Sequence, residues 1–522
     1  MKKIQYILIG LITFSAISCS KYLDINDNPN AATSSTPELV LPQAIVGTGV
    51  NTNGNFNFGM GADLMYRANG GGFSGFGTVI SYDYTTSSFT AQWSSTYDNL
   101  NDYRYIFNST KGNPKYIYYT AVARIMTAYN YQLLVDTYND VPYTDALGGV
   151  VNISPKYDKG TDIYKAVAAQ IDTAITEINK GLANSLSVLP FNASSDPLFS
   201  RGGPNMVRWK QFANTVKLRL IVRAGGKVTF NNTTFSSDGF LVNDALVNPG
   251  YAKIVNQQCP IWPWTVTNTA SASSRLPSTF LLTFFDGTKL RDDRRGTALF
   301  RIYPNSPSNQ LGNETNPSPP SGATPNNWFK GASATVWDRV GIYKGPDAGV
   351  PLITAAESYF LQAEAAVKGI ITGNATALFN SGIDASFTYL YKDNTDNLPA
   401  VAPYNLPLVD AAAYRTTNAT NYLANFALAT TDEQKIEAII TQKYIALGLI
   451  SSHEPWNDYR RTGYPRVTGT GPRETMASTV SLSTRPDKMP TRVLYPISEF
   501  NTNQNNVPKD VDKFKSLIFW AK

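Results

Sequence analysis

Histidine is almost absent: His453 is the only one in 522 residues. That excludes a His-rich zinc site and leaves any His-dependent triad a single available member. Cysteine is nearly as scarce, with only Cys19 and Cys259. Cys19 belongs to an export signal, so Cys259 has no intrachain partner. A disulfide framework is excluded, and Cys259 is expected to be a small buried apolar residue. Charge is thin as well: charged residues make up 16%, and no run of five or six like charges occurs. The formal net charge of +6 is too small and too diffuse for a nucleic-acid partner. Alternating strand patterns are few, so the chain reads as mainly α. Aromatic side chains are abundant instead, at 12%, with 30 Tyr and 8 Trp. This profile suits an extracellular protein with many flat amphipathic surfaces, and it specifies no ligand by itself.

The N-terminus carries an export pattern. Lys2 and Lys3 form a basic start, Ile4–Ile12 is almost wholly apolar, and Ala16-Ile17-Ser18 leads into Cys19. The apolar run is too short and too early to span a bilayer, so it reads as a removed signal. Small residues before Cys19 fit signal peptidase II, although Leu is usual where Ala16 stands. An ordinary secretion signal with a chance cysteine is the alternative. Lipidation at Cys19 would anchor the chain by several acyl groups, and Ser20, in place of an Asp, leaves the outer membrane open as destination. Loss of Lys2 and Lys3 would lower the net charge from +6 to +4. The expected organisation is a signal peptide at 1–18, a lipidated tether at 19–37, and a body at 38–522.

Within the body, apolar residues recur at helical spacing. They include Tyr118, Val122, Ile125, Tyr129 and Leu133 in 115–137, and Ile163, Val167, Ile171, Ala174, Ile178 and Leu182 in 162–182. Ile353, Ala356, Phe360, Ala363 and Val367 do the same in 352–368, with Gly369 as the expected cap. Ile436, Ile440, Tyr444 and Leu447 mark a further helix. The segments 352–368 and 375–391, joined by a short turn, resemble one tetratricopeptide-like helix pair, but no clean 34-residue period exists. Long loops are expected at 47–92 and 256–345. The second holds Trp262, Trp264, Trp328 and Trp337, an aromatic content that argues for function.

Ordered strings then point to a family. Leu23, Asp24, Ile25 and Asn26 precede Asn28-Pro29-Asn30; Asp136 to Tyr143 and Pro155 to Asp158 follow. Trp209, Phe212, Ala213 and Asn214 come with Arg219 and Arg223, and Thr354 to Ala365 carries Glu357 and Glu364. The C-terminal third adds Ile440 to Tyr444, Trp456 to Pro465 with Asp458, Arg460 and Arg461, and Arg492 to Pro496. In this order, over roughly residues 20–510, the set resembles the SusD/RagB family of outer-membrane nutrient-binding lipoproteins, the SusD-like subgroup. The resemblance implies a mainly α fold, with tetratricopeptide-like helix pairs packed against a loop-rich ligand-binding half. It also implies a binding protein and not an enzyme: a cell-surface lipoprotein that captures oligosaccharide and delivers it to a SusC-like TonB-dependent β-barrel transporter. A peptide receptor of the same kind is the alternative, and a surface glycoside hydrolase a further one. No cofactor is implied.

A sugar binder needs flat aromatic faces beside polar side chains. Phe73, Phe76, Tyr82, Asp83, Tyr84 and Trp93 supply both, as do Trp262, Trp264, Asn327 and Trp328. Core packing is the competing role, and the helical spacing of Trp93, Tyr97 and Leu100 makes it as strong a reading as binding for Trp93. Gly70-Gly-Gly72-Phe-Ser-Gly75 follows no clear strand and opens no clear helix, which argues against dinucleotide binding. Asp24, Asn26 and Asn28 begin like a calcium loop, but Pro29 and Ser35 stand where Gly and Glu are required. Asp136, Asp140 and Asp145 are expected to cap helices and brace loops, with a cation as the other reading. Glu357 and Glu364 are two turns apart on one helix, and a structural pair of Glu364 with Arg460 or Arg461 is expected over catalysis. His453-Glu454 is likewise expected to be structural. No catalytic or metal residue is assigned.

Overall fold

A computed structural model describes residues 35–70, 77–192, 195–199, 206–263, 274–314, 328–330 and 340–522. The first long element is helical almost throughout. Helix α1 (Pro37–Asn51) runs into a π-helical stretch, Thr52–Gly61, and a last α turn, α2 (Ala62–Met65). It delivers the chain to strand β1 (Arg67–Asn69). The expected 47–92 loop is therefore helical as far as Met65. Its Asn and Gly residues are held by long-range contacts that no local pattern carries. Asn53 donates to Pro351 O at 3.0 Å, and Asn57 donates to Leu449 O at 3.0 Å and accepts from Ser452 N at 2.8 Å. A Cβ on Gly61 would lie 2.5 Å from Ser452 C, so only glycine permits this approach.

Helices α3 (Thr90–Thr110), α4 (Ile117–Tyr138), α5 (Gly160–Ala183) and α6 (Met206–Ala224) follow, α3 packed on α1 and each later one on its predecessor. The apolar stripes expected for 115–137 and 162–182 are buried except for Leu182. Beyond β2 (Ala245–Val247) come β3 (Arg275–Pro277), α7 (Thr279–Leu282) and α8 (Asp293–Leu299). The described part of 256–345 is thus only partly loop. Strand β4 (Val350–Ile353) takes Ile353 from the helix expected over 352–368, and α9 covers Ala355–Val367. Thr354 caps α9 by accepting from Glu357 N at 3.2 Å. Gly369, at φ +67°, ends it: Gly369 N bonds Ala366 O and Ile370 N bonds Ala365 O at 2.8 Å. Then come α10 (Ala375–Tyr391), α11 (Pro407–Thr417), α12 (Asp432–Leu447), α13 (His453–Thr462) and α14 (Ile497–Thr502).

Helix pairs dominate the packing: α1 with α3, α3 with α4, α4 with α5, α9 with α10, and α9 with α12. Among the described residues the named strands form only two antiparallel pairs, β1 with β3 and β2 with β4. No described helix is long and apolar enough to cross a membrane.

Candidate ligand-binding site

Three segments of chain meet at Asn69. Strand β1 pairs with β3, Asn69 opposite Arg275, and Gly70 N donates to Ser274 O at 2.7 Å. The Asn69 side chain then clasps a third segment. Its Oδ1 accepts from Gly312 N at 2.8 Å and its Nδ2 donates to Asn313 O at 3.2 Å. Asn309 completes the knot, donating to Asn69 O at 2.9 Å and to Asn313 O at 2.6 Å. An amide is required here, because one side chain must both donate and accept in a buried place. The stretches 71–76, 264–273 and 315–327, which adjoin Gly70, Ser274 and Glu314 in the sequence, lie outside the described residues. Beside it, Arg67 Nε pairs with Asp63 at 2.7 Å, and Arg275 reaches the same carboxylate at 3.5 Å. Burial lowers the Arg67 pKa against the pull of Asp63.

Phe73, Phe76, Trp264, Asn327 and Cys19 lie outside the described residues. Tyr82, Tyr84, Trp93, Trp262 and Trp328 are between 0% and 6% exposed, so their rings are core here and not an open sugar platform. Tyr82 accepts from Ser478 N at 3.1 Å, and Tyr84 packs edge-on against Phe89. Trp93 sits among Tyr97, Tyr138, Tyr157 and Tyr495, with centroids 5.0 to 6.1 Å away. These large rings fill space between helices, where they remove the most apolar surface from water. Asp83 keeps about half its side chain exposed and pairs with Lys513 at 2.6 Å. Cys259 is buried as expected, and burial pushes its thiol up to about 12.

Asp136, Arg219, Arg223, Glu357, Glu364, Asp458, Arg460 and Arg461, quoted above as ordered landmarks, form a buried charge network with Lys443 and Glu454. Arg219 contacts Glu357 at 3.1 Å and Glu454 at 3.5 Å. Arg223 bonds Asp136 and Glu454. Arg461 holds Glu364 with both terminal nitrogens and also meets Asp458, which pairs with Lys443 at 2.9 Å. Arg460 stacks 3.6 Å from the Trp456 ring centroid and donates to Asp136 O at 2.7 Å. Five carboxylates thus face five cations. Burial opposes ionisation of Glu454, yet Arg223 and Arg219 outweigh it and hold the carboxyl well below its usual range. Burial drives His453 down to about 4 against the attraction of Glu454. Its ring is therefore neutral at pH 7, and neither ring nitrogen has a hydrogen-bond partner among the described residues. The network ties α4, α6, α9, α12 and α13 together in the interior, and its edge residues Arg223 and Arg461 also line a cavity of about 490 Å³. Asp140, by contrast, accepts from Gly160 N at 3.0 Å at the start of α5 and pairs with Lys159. Among the described residues no group of three or more His, Cys, Asp or Glu could hold a metal.

The fold has counterparts among solved structures. A family model described as starch-binding and associating with the outer membrane, SusD-like, matches residues 29–496. The chain belongs to this SusD-like family. It is similar in structure to a Bacteroidetes SusD-like protein (TM-score 0.69, 19% identity, covering 94% of this chain and 100% of that one). A chitin-binding SusD homologue from Flavobacterium johnsoniae gives TM-score 0.68 at 22% identity, covering 92% and 98%. A SusD-like protein from Bacteroides thetaiotaomicron gives 0.67 at 20%, again covering 92% and 98%. Among curated proteins none matches.

Proposed function

We propose that this chain is a cell-surface receptor that captures oligosaccharide and hands it, uncleaved, to a SusC-like TonB-dependent β-barrel in the outer membrane. Lipid on Cys19 and the 19–37 tether would hold it there. The observation that carries the reading is the knot at Asn69: the three segments it joins lead into or out of the stretches that contain Phe73, Phe76, Trp264 and Asn327. A glycan surface requires aromatic and amide side chains beside one another on a rigid support, and the sequence carries both residue types in the stretches next to the knot. The family's description as starch-binding and the chitin-binding neighbour support a glycan over other nutrients. Native mass spectrometry of the full chain in mild detergent with malto-, chito- and peptide oligomers tests this. An intact oligosaccharide complex, weakened by Trp264→Ala, is expected. Retention of peptide alone, or release of shortened sugar, would replace the reading with a peptide receptor or a hydrolase.

A further inference from the structure

A second cavity, of about 190 Å³, opens between α3, α4 and α5. None of the residues of the Asn69 knot lines it. Its walls combine flat rings with polar groups that the protein leaves unused. Phe107 supports the Arg124 guanidinium at 4.5 Å, while Tyr131 and Tyr143 meet edge to face at 4.7 Å. Arg124 is committed on one side: its Nε spans both oxygens of Glu177 at 3.1 and 3.2 Å, and Nη1 bonds Gln170. Arg104 is not committed. It donates only to Ala146 O, at 2.9 Å, and makes no ion pair among the described residues. Tyr131 is 2% exposed, yet its hydroxyl makes no hydrogen bond among the described residues. The hydroxyls of Tyr143 and Thr127, also on the lining, make none among the described residues either.

An unpaired guanidinium at the mouth, three free hydroxyls and aromatic walls describe one ligand chemistry. We propose that this cavity binds a single sugar ring bearing a carboxylate, a uronic acid unit. The carboxylate forms a charge-assisted, two-pronged contact with Arg104, which suits a guanidinium better than any neutral group does. The ring lies against Phe107 and Tyr131, and its hydroxyls take up Tyr131, Tyr143, Thr127 and the Gln170 amide. A neutral hexose leaves Arg104 without a counter-charge, and an aromatic acid leaves the hydroxyls unsatisfied.

Titration calorimetry of the full chain in mild detergent, with D-glucuronate, D-glucose and benzoate as separate probes, tests the site. D-Glucuronate should bind, and D-glucose and benzoate should bind at least about tenfold more weakly. Arg104→Gln, on the rim, should weaken D-glucuronate about tenfold or more. Tyr131→Phe removes one oxygen atom and should weaken it several-fold; unchanged melting curves establish that both variants fold. Absence of D-glucuronate binding overturns the proposal. Equal binding of D-glucose or of benzoate also overturns it, as does D-glucuronate affinity that survives both substitutions.

Discussion

Arg461 grips Glu364 through Nη1 at 2.5 Å and Nη2 at 2.9 Å, fastening α13 to α9 in the interior. Burial alone would raise the Glu364 pKa; Arg461 and Lys368 together overcome it and hold the carboxyl at about 2. Because the folded value lies below the ordinary 4.5, the pair stabilises the protein fully above pH 4.5. That contribution, about 3 kcal/mol from the size of the shift, is lost as pH falls towards 2. Urea titrations of Glu364→Gln should show a loss of about 3–5 kcal/mol at pH 7, with the acid dependence between pH 4.5 and 2 flattened. A variant as stable as the parent at pH 7 would mean that the pair is dispensable.

His453 works in a separate window. Its folded pKa of about 4 lies below the ordinary 6.5, so the unfolded chain takes up a proton that the folded chain refuses. Stability should be constant above pH 6.5 and fall by up to about 3 kcal/mol as pH drops to 4. Replacing the ring with an apolar side chain, His453→Met, should remove that slope while leaving the Glu364 window in place. As the only histidine, His453 gives a single imidazole signal in NMR, and a titration midpoint near 6.5 in the folded chain would refute the burial argument.

Trp93 is expected to act on stability. Trp93→Ala removes the ring around which four tyrosines pack and should cost about 3–5 kcal/mol in denaturant unfolding. Oligosaccharide affinity, measured on the fraction that remains folded, should not change. A loss of affinity without loss of stability would instead place Trp93 on the ligand surface.

Asn69→Ala should separate the two effects in the other direction. Leaving Gly312 N without its acceptor, and Asn313 O with Asn309 as its remaining donor, costs about 1–3 kcal/mol. Asn57→Ala, equally buried and bonded to Leu449 and Ile450, should cost a similar amount. Only the Asn69 variant should also weaken oligosaccharide binding about tenfold or more, because a displaced supporting group degrades the geometry of the groups it holds. Equal losses of affinity in both variants would show that the knot has no special bearing on the ligand.

The helices at 117–138, 160–183 and 375–391 were legible because each presents an apolar stripe at helical period to a neighbour of the same kind. A pairing of Glu364 with Arg460 or Arg461 was legible too, since a carboxylate beside the apolar stripe of α9 needs a buried cation, and the structure selects Arg461. The π-helical Thr52–Gly61 was not. Its Asn- and Gly-rich composition reads locally as loop, and what holds it helical is bonding to residues some 300 to 400 positions away. Aromatic roles were the hardest. Tyr82, Tyr84, Trp262 and Trp328 have the amphipathic shape that serves a sugar surface and a helix interface equally well, and only their burial distinguishes the two. The knot at Asn69 left no local signal, because one asparagine among many looks alike until its partners at 309–313 are brought beside it.

The clasp made by Asn69 acts on backbone groups alone: it recognises Gly312 N and Asn313 O, and Asn309 in turn recognises Asn69 O. The residues that the three segments carry beyond Gly70, before Ser274 and after Glu314 can therefore change in length and character without altering what the asparagine reads. On the function proposed above, variation there that retunes ligand choice is uncoupled from variation that would endanger folding. A lineage can then explore new nutrients in those stretches while its helical body stays under unbroken selection.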